Sequence, residues 1–323
     1  MGLTPLKIFL AEQDPEQALI DICGGQTQIF QESQNFLNLF DAKLSQCDVI
    51  LVPHDAKHWS DEYYKYLLGF SERKLILYFN RADRKRYISL NNSISIQITK
   101  SIRDREKVIL APCNVSSLEW LPFRKFTRSP VLSFVGYVPR LGPRRLFNSF
   151  VESPIHPIQC NSSIIRRRGI EEIKNSNLES IIEIRDHYGG AGSLIKEPYN
   201  FRKEFVDSIE HSDFVFCPRG DANGSQRIYE AVSAGRIPII PSTNTKFPVI
   251  PSDDYSRMFL QIKTLSRNVE NEVNHFWKDM NHSVYLSYQT LLRNLFSSFL
   301  DYQKYLMMLF QQTNVADIPR FCV

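Results

Sequence analysis

Phe214-Val-Phe-Cys-Pro-Arg-Gly-Asp-Ala-Asn-Gly-Ser-Gln-Arg-Ile-Tyr-Glu-Ala-Val-Ser-Ala-Gly-Arg-Ile-Pro-Ile-Ile-Pro241 reads as strand, polar loop, helix, tight turn and strand. The apolar run 214–217 is broken by Pro218. Gly220, Asn223 and Gly224 punctuate a loop, and Ser225 is a suitable N-cap for the helix that follows. Gly235 ends that helix, and residues 237–240 open the next apolar run. A strand that leads through a loop into a helix N-terminus aims unpaired backbone N–H groups above the sheet, and phosphates are their usual guests. Arg227 and Glu230 are three apart and share one helix face. Together they could divide a nucleotide sugar, Arg227 taking diphosphate oxygens and Glu230 the ribose hydroxyls. They also fit a surface ion pair on an ordinary αβ connection, and local physics leaves both readings open.

Working outward, apolar runs alternate with helical patterns. Residues 6–10, 48–53, 75–79 and 108–111 read as strands, with a helix over 61–70. Residues 93–99 alternate Ile with polar residues and suit an edge or half-buried strand. The basic, Pro-bounded segment 121–130 reads as a linker. The pattern restarts with a strand at 131–135, a helix near 144–152, a strand at 181–184 and a helix at 200–211. Such alternation implies α/β domains with parallel sheets. The expected division is 1–128, 129–285 and a helical tail at 286–323. In that tail Tyr288, Leu292, Leu295, Phe299, Tyr302, Leu306 and Leu309 recur at helical spacing.

Composition excludes several classes. The 323 residues are 43% hydrophobic and 23% charged, which suits a globular protein with a sizeable core. A net charge of +4 gives no field that argues for nucleic acid. Cys23, Cys47, Cys113, Cys160, Cys217 and Cys322 are scattered, without Cys-x-x-Cys or metal spacing. Buried thiols in a reducing compartment are expected. The opening residues have too short an apolar run for a signal peptide, and no stretch approaches the roughly 20 apolar residues of a membrane span. Asn-x-Ser triplets at Asn91, Asn114, Asn161, Asn223 and Asn281 are read as chance, since a glycan on Asn223 would block the loop. The expected location is cytoplasmic, with a place at the inner face of a membrane as the variant.

Pro218-Arg219-Gly220, then Gly224-Ser225-x-Arg227-x-x-Glu230-Ala231, then Pro238-Ile239-Ile240, resembles the signature of exostosin-type glycosyltransferases. Ser133-Phe-Val-Gly136 with Arg140, Arg144 and Arg145 is similar to the family's upstream strand end and arginines, and residues 48–53 to its earlier strand. Gly235-Arg236 departs from the small pair common there, leaving either an extra cation near the site or an exposed Arg. The resemblance implies a GT-B fold: two Rossmann-like domains facing across a cleft, with a C-terminal helix able to cross back. It also implies sugar transfer from a nucleoside diphosphate sugar, UDP favoured, with inversion. Glycans or cell-surface polysaccharides would be the acceptors, lipid-linked ones included. A GDP-fucose type of GT-B transferase and a non-catalytic nucleotide- or glycan-binding protein are the alternatives.

The chemistry needs the diphosphate neutralised and a proton taken from the acceptor. There is no Asp-x-Asp to hold a metal, and Asp253-Asp254 reads as a turn or a helix start. No cofactor or metal is expected. The donor-binding candidates are therefore Gly136, Arg140, Arg144, Arg145, Pro218, Arg219, Gly220, Asn223, Gly224, Ser225, Arg227 and Glu230. His54 and Asp55 follow one strand end, and Asp186 with His187 follows another; His54, Asp55 and Asp186 are the candidate bases. Gly189-Gly-Ala-Gly192 reads as a flexible loop, and Arg166-Arg-Arg168 as a surface triplet.

Overall fold

Residues one apart along the strands sort cleanly onto opposite faces, as a sheet covered on both sides requires. The structure, a computed structural model, describes residues 7–11, 15–22, 42–80, 88–100, 107–185, 198–220, 223–252, 257–263, 268–311 and 315–323. The chain divides into two compact units, Met1–Asn114 with Lys246–Pro251 and Tyr302–Val323, and Val115–Thr245 with Ser252–Asp301. These cut the chain at other places than the contiguous division expected from sequence. Each unit holds one five-stranded parallel sheet, in keeping with the α/β class expected from the alternation of strands and helices.

The first sheet is built from β1 (Ile8–Leu10), β2 (Val49–Asp55), β3 (Leu75–Phe79), β4 (Ser93–Gln97) and β5 (Val108–Leu110), in that spatial order. Helices α1 (Pro15–Ile22) and α2 (Asp61–Leu68) accompany it. Val49, Leu51, Leu75, Leu77 and Phe79 face a core shared with Ala18 and Ile22. Ile50, Val52, Ile76 and Tyr78 face the other core, with Trp59 and Leu67. β4 is not an edge strand: it lies between β3 and β5, and the hydroxyl of Ser95 accepts from Gln97 Nε2 at 2.8 Å. Its polar residues satisfy one another inside the sheet, which the alternating pattern could not reveal.

The second sheet runs β10-β9-β8-β6-β7. Its strands are β6 (Val131–Tyr137), β7 (Glu179–Arg185), β8 (Phe214–Phe216), β9 (Ile237–Pro241) and β10 (Leu260–Ile262). The helices are α3 (Pro143–Glu152), α4 (Ser162–Lys174), α5 (Pro198–Glu210), α6 (Gln226–Ser233), α7 (Val269–Trp277) and α8 (His282–Leu295). The expected single tail helix is interrupted by a π turn at Phe296–Leu300 and by Asp301, which is extended at φ −62° and ψ 128°. α9 (Tyr302–Phe310) then belongs to the first unit, where Tyr305, Leu306 and Leu309 complete the core beside α1. The tail does return to the first unit.

α6 ends as its sequence requires. Gly235 takes φ +72°, its N–H donates to Val232 O at 2.9 Å, and Arg236 N–H donates to Ala231 O at 2.8 Å. This is a Schellman cap. Arg236 is neither an extra cation near the site nor an exposed residue. It has no exposed surface, and its guanidinium donates to the carbonyls of Ile209 (3.1 Å), Ala234 (2.8 Å) and Pro122 (3.0 Å) and to Gln289 Oε1 (3.0 Å). Loss of water lowers its pKa to about 10, still charged at neutral pH. Nor is the segment 121–130 a free linker. Leu121 is buried, Arg124 pairs with the fully buried Asp213 at 2.8 Å, and Phe126 stacks on Trp277. Replacing Arg236 by Ala strands those acceptors in the interior. Urea unfolding should show a loss of about 3–5 kcal/mol, against less than about 0.5 kcal/mol for Ala at the exposed Arg128.

Candidate functional site

The second sheet reverses direction at one place. From β6 the order steps one way to β7 and the other way through β8, β9 and β10. The segments that follow β6 and β8 therefore diverge, and at such a switch point a crevice forms beyond the carboxyl ends. The described strands of the first sheet run in sequence order and have no such reversal.

The quoted stretch supplies one wall. Cys217 N–H still donates to Ile239 O at 2.8 Å, and Pro218 ends the pairing. Gly220 N–H donates to Gly224 O at 2.9 Å and closes the loop. Asn223, a donor-binding candidate, straps the loop to the segment after β9. Its Nδ2 donates to Thr243 O at 2.9 Å, and its Oδ1 accepts from the hydroxyls of Thr243 (2.9 Å) and Thr245 (3.1 Å). Ser225 holds the N-cap position of α6 in extended conformation, but its side chain makes no capping bond, contrary to the expectation. Burial pushes the Cys217 thiol up, so it stays neutral.

Arg227 and Glu230 do not pair with each other. Arg227 reaches across the switch point, where its Nη2 donates to Val135 O of β6 at 3.1 Å. Its guanidinium lies 4.9 Å from the Phe134 ring centre and 5.9 Å from that of Phe205, in cation–π range. This explains Gly136: a Cβ there would lie 2.0 Å from Arg227 Nη2. Glu230 is buried, with 8% of its surface exposed, and pairs with Arg202 of α5. Arg202 also donates to Ser116 O at 3.5 Å. A carboxylate offers about four acceptor positions, so this pairing leaves Glu230 able to accept more bonds.

The other arginines are placed differently. Arg219 is 3% exposed and grips both oxygens of Glu152, at 2.9 and 3.1 Å, while donating to Gln159 O at 3.2 Å. Its charge is already matched, and its work is to tie the loop to α3. Arg166 is no surface residue: it donates to Tyr137 O at 2.6 Å and to Arg219 O at 3.2 Å, bridging the end of β6 and the segment after β8. Arg140 and Arg144 are exposed, and Arg145 is half-buried at the start of α3.

In the first unit, Asp55 is 8% exposed and caps the short helix after β2 by accepting from Lys57 N–H at 3.2 Å. His54 Nδ1 pairs with Asp21 of α1. Asp186, His187, the glycines of 189–192, Asp253 and Asp254 lie outside the described residues. Among the described residues no three His, Cys, Asp or Glu side chains form a metal-holding group. The sequence reading missed Arg202, Phe205 and Asp21. Each meets its partner from another element, and no spacing rule reaches that far.

Residues 165–262, which run from α4 to β10 and contain the quoted stretch, match the family described as the RXYLT1 C-terminal domain, a glycosyltransferase-related family. No curated protein matches the chain. Among solved structures, the chain is similar to a glycosyltransferase from Rickettsia africae ESF-5, at 9% identity, 95% coverage of this chain and 97% of that one, with a TM-score of 0.40. It is also similar to Anabaena Alr3699/HepE, solved in complex with UDP and glucose, at 12% identity, 95% and 100% coverage and a TM-score of 0.33.

The contact between Gly136 and Arg227 gives a thermodynamic cycle. Gly136→Ala alone should cost about 1–3 kcal/mol by overpacking. In an Arg227→Ala background the part due to the guanidinium should vanish, a coupling of about 1–2 kcal/mol between contacting residues, while the part due to the φ of +159° at 136 should remain. Urea midpoints of the four proteins measure it, and strictly additive costs would contradict the contact.

Proposed function

We propose that the chain is a metal-independent, inverting glycosyltransferase that takes a nucleoside diphosphate sugar, UDP-linked by preference, and passes the sugar to a glycan or polysaccharide acceptor. The observation that carries the reading is the Arg227 guanidinium, held by Phe134 and Val135 O beside Gly136 at the switch point of the second sheet. The α6 N-terminus, with no side-chain cap from Ser225, adds backbone N–H groups and the positive end of the helix dipole. The match over residues 165–262 to a glycosyltransferase-related family supports it.

In this reading the diphosphate lies against Arg227 and the first turn of α6. Glu230, steadied by Arg202, accepts the ribose hydroxyls. The acceptor hydroxyl attacks the anomeric carbon, the bond to the diphosphate oxygen breaks, and the nucleoside diphosphate leaves with the electron pair. Negative charge grows on that oxygen, so the fixed cation and the helix amides bind the transition state more strongly than the substrate. One charge-assisted hydrogen bond of about 1.5–3 kcal/mol corresponds to roughly ten- to a hundredfold in rate. The hydroxyl proton needs a base. Of the described candidates His54 suits that role, because its ring is oriented by Asp21, whereas Asp55 caps a helix.

Thermal melting with UDP, GDP and CMP tests the donor. A nucleotide at 100 times its dissociation constant should stabilise the fold by about 2.7 kcal/mol. UDP should do so, and Arg227→Ala or Glu230→Ala should abolish the shift while leaving the unliganded protein folded; undiminished binding in both variants would refute the site. GDP alone would point to the fucose-type alternative. In turnover assays His54→Gln should lower kcat without raising the donor KM, and Asp21→Asn should lower it less. EDTA should leave the rate unchanged, and a loss restored by manganese would refute metal independence.

A further inference from the structure

Helix α3 is inside out. Its buried residue is Ser149, whose hydroxyl donates to Arg145 O at 2.8 Å, and Glu152 turns inward to Arg219. Its apolar side chains face outward: Leu146 is 38% exposed, Phe147 67%, Phe150 55% and Val151 38%. The 3₁₀ turn Pro157–Cys160 packs against the same helix, and Ile155 (82%) and Ile158 (40%) extend the apolar surface. An amphipathic helix normally buries its apolar stripe, and a contiguous exposed patch of this kind marks a surface that is covered in use.

The surrounding charge indicates what covers it. Arg140 and Arg144 are exposed at the helix start, and Arg167 of α4 donates to Pro139 O at 3.4 Å, beside the same segment. The acidic residue of the helix, Glu152, is already matched by Arg219. An apolar face with arginines at its margin fits a bilayer that carries anionic headgroups: the Phe and Leu side chains enter the boundary of the acyl region, and the guanidiniums meet phosphate and carboxylate. A second copy of the chain fits less well, because a two-fold contact through this patch brings like charges together.

We propose that α3 with the turn at 157–160 is a membrane-docking surface for an anionic lipid bilayer. α3 follows the carboxyl end of β6, the strand that holds Val135 and Gly136 beside Arg227. Docking there brings the Arg227 site to the lipid surface, where a lipid-linked acceptor would be found. That last step rests on the glycosyltransferase reading, and the docking itself does not.

Co-sedimentation with vesicles tests it. The protein should bind vesicles of phosphatidylcholine mixed with phosphatidylserine, bind pure phosphatidylcholine weakly, and lose affinity as salt rises. The double variant Phe147→Ser/Phe150→Ser should melt like the parent, keep its response to UDP, and bind the anionic vesicles about tenfold or more weakly, since affinity scales with buried apolar area. Arg144→Glu should weaken binding and flatten its salt dependence. Absence of vesicle binding by the parent, or undiminished binding by the double variant, would overturn the proposal. So would self-association abolished by the Phe substitutions without any vesicle binding. A protein that responds to UDP but ignores vesicles would separate failure of the docking surface from failure of the donor site.

Discussion

The second unit is organised around a guanidinium that has lost its water. Arg236 sits in the turn between α6 and β9 and can remain charged there only because backbone carbonyls and Gln289 replace its hydration. Those acceptors come from the end of α5, from α8 and from the segment before β6, so satisfying one side chain fixes several elements. Asp213 continues the network. Its carboxylate accepts from Arg124 and Tyr285 at 2.8 Å each and from Val131 N–H at 2.8 Å, and its own N–H donates back to Val131 O. Val131, Asp213 and Arg236 stand at or before the starts of β6, β8 and β9. The amino ends of the central strands are thus locked by buried polar groups. In such networks each member is costly to remove because its partners are left unpaired.

With the amino ends held, the carboxyl ends open beside β6, where the strand order reverses. Residues far apart in the chain meet there. The Phe134-Val-Gly136 strand end and the Arg227 helix are separate stretches of the resemblance, and in space they form one contact. Glycine suits 136 because its φ of +159° disfavours a side chain and the guanidinium occupies the space where one would begin. Arg219 and Arg166 stand behind this contact, one anchoring the loop to Glu152 and the other bridging the end of β6 and the segment after β8. Arg227 lies in front at the switch point, and two structural cations lie behind it. Both kinds read alike in a sequence, since Arg serves equally well as an anion ligand and as a multiple donor to carbonyls.

Helix α3 makes the complementary point about apolar residues. Its pattern is that of an ordinary amphipathic helix, and the periodicity of Leu146, Phe147, Phe150 and Val151 defines a face without saying which way it turns. The inward ion pair between Glu152 and Arg219 sets that direction. A helix can rotate only as a whole, so anchoring its polar side inward leaves its apolar side outward.

What the sequence determined by itself was local. Strand and helix alternation, the α/β class, the termination of α6 at Gly235 and the strand–loop–helix of residues 214–241 all follow from periodicity and backbone preference, which act over a few residues. The position of β4 inside its sheet, the break of the tail at Asp301, the burial of 121–126 and the partners of Arg227, Glu230, Arg219, Arg166 and Arg236 were decided by tertiary structure. The physical reason is the length and freedom of the groups involved. A backbone N–H finds its acceptor within a turn or the adjacent strand. A guanidinium on a flexible stem can reach any carbonyl or carboxylate that packing brings near, and which one that is depends on every element around it.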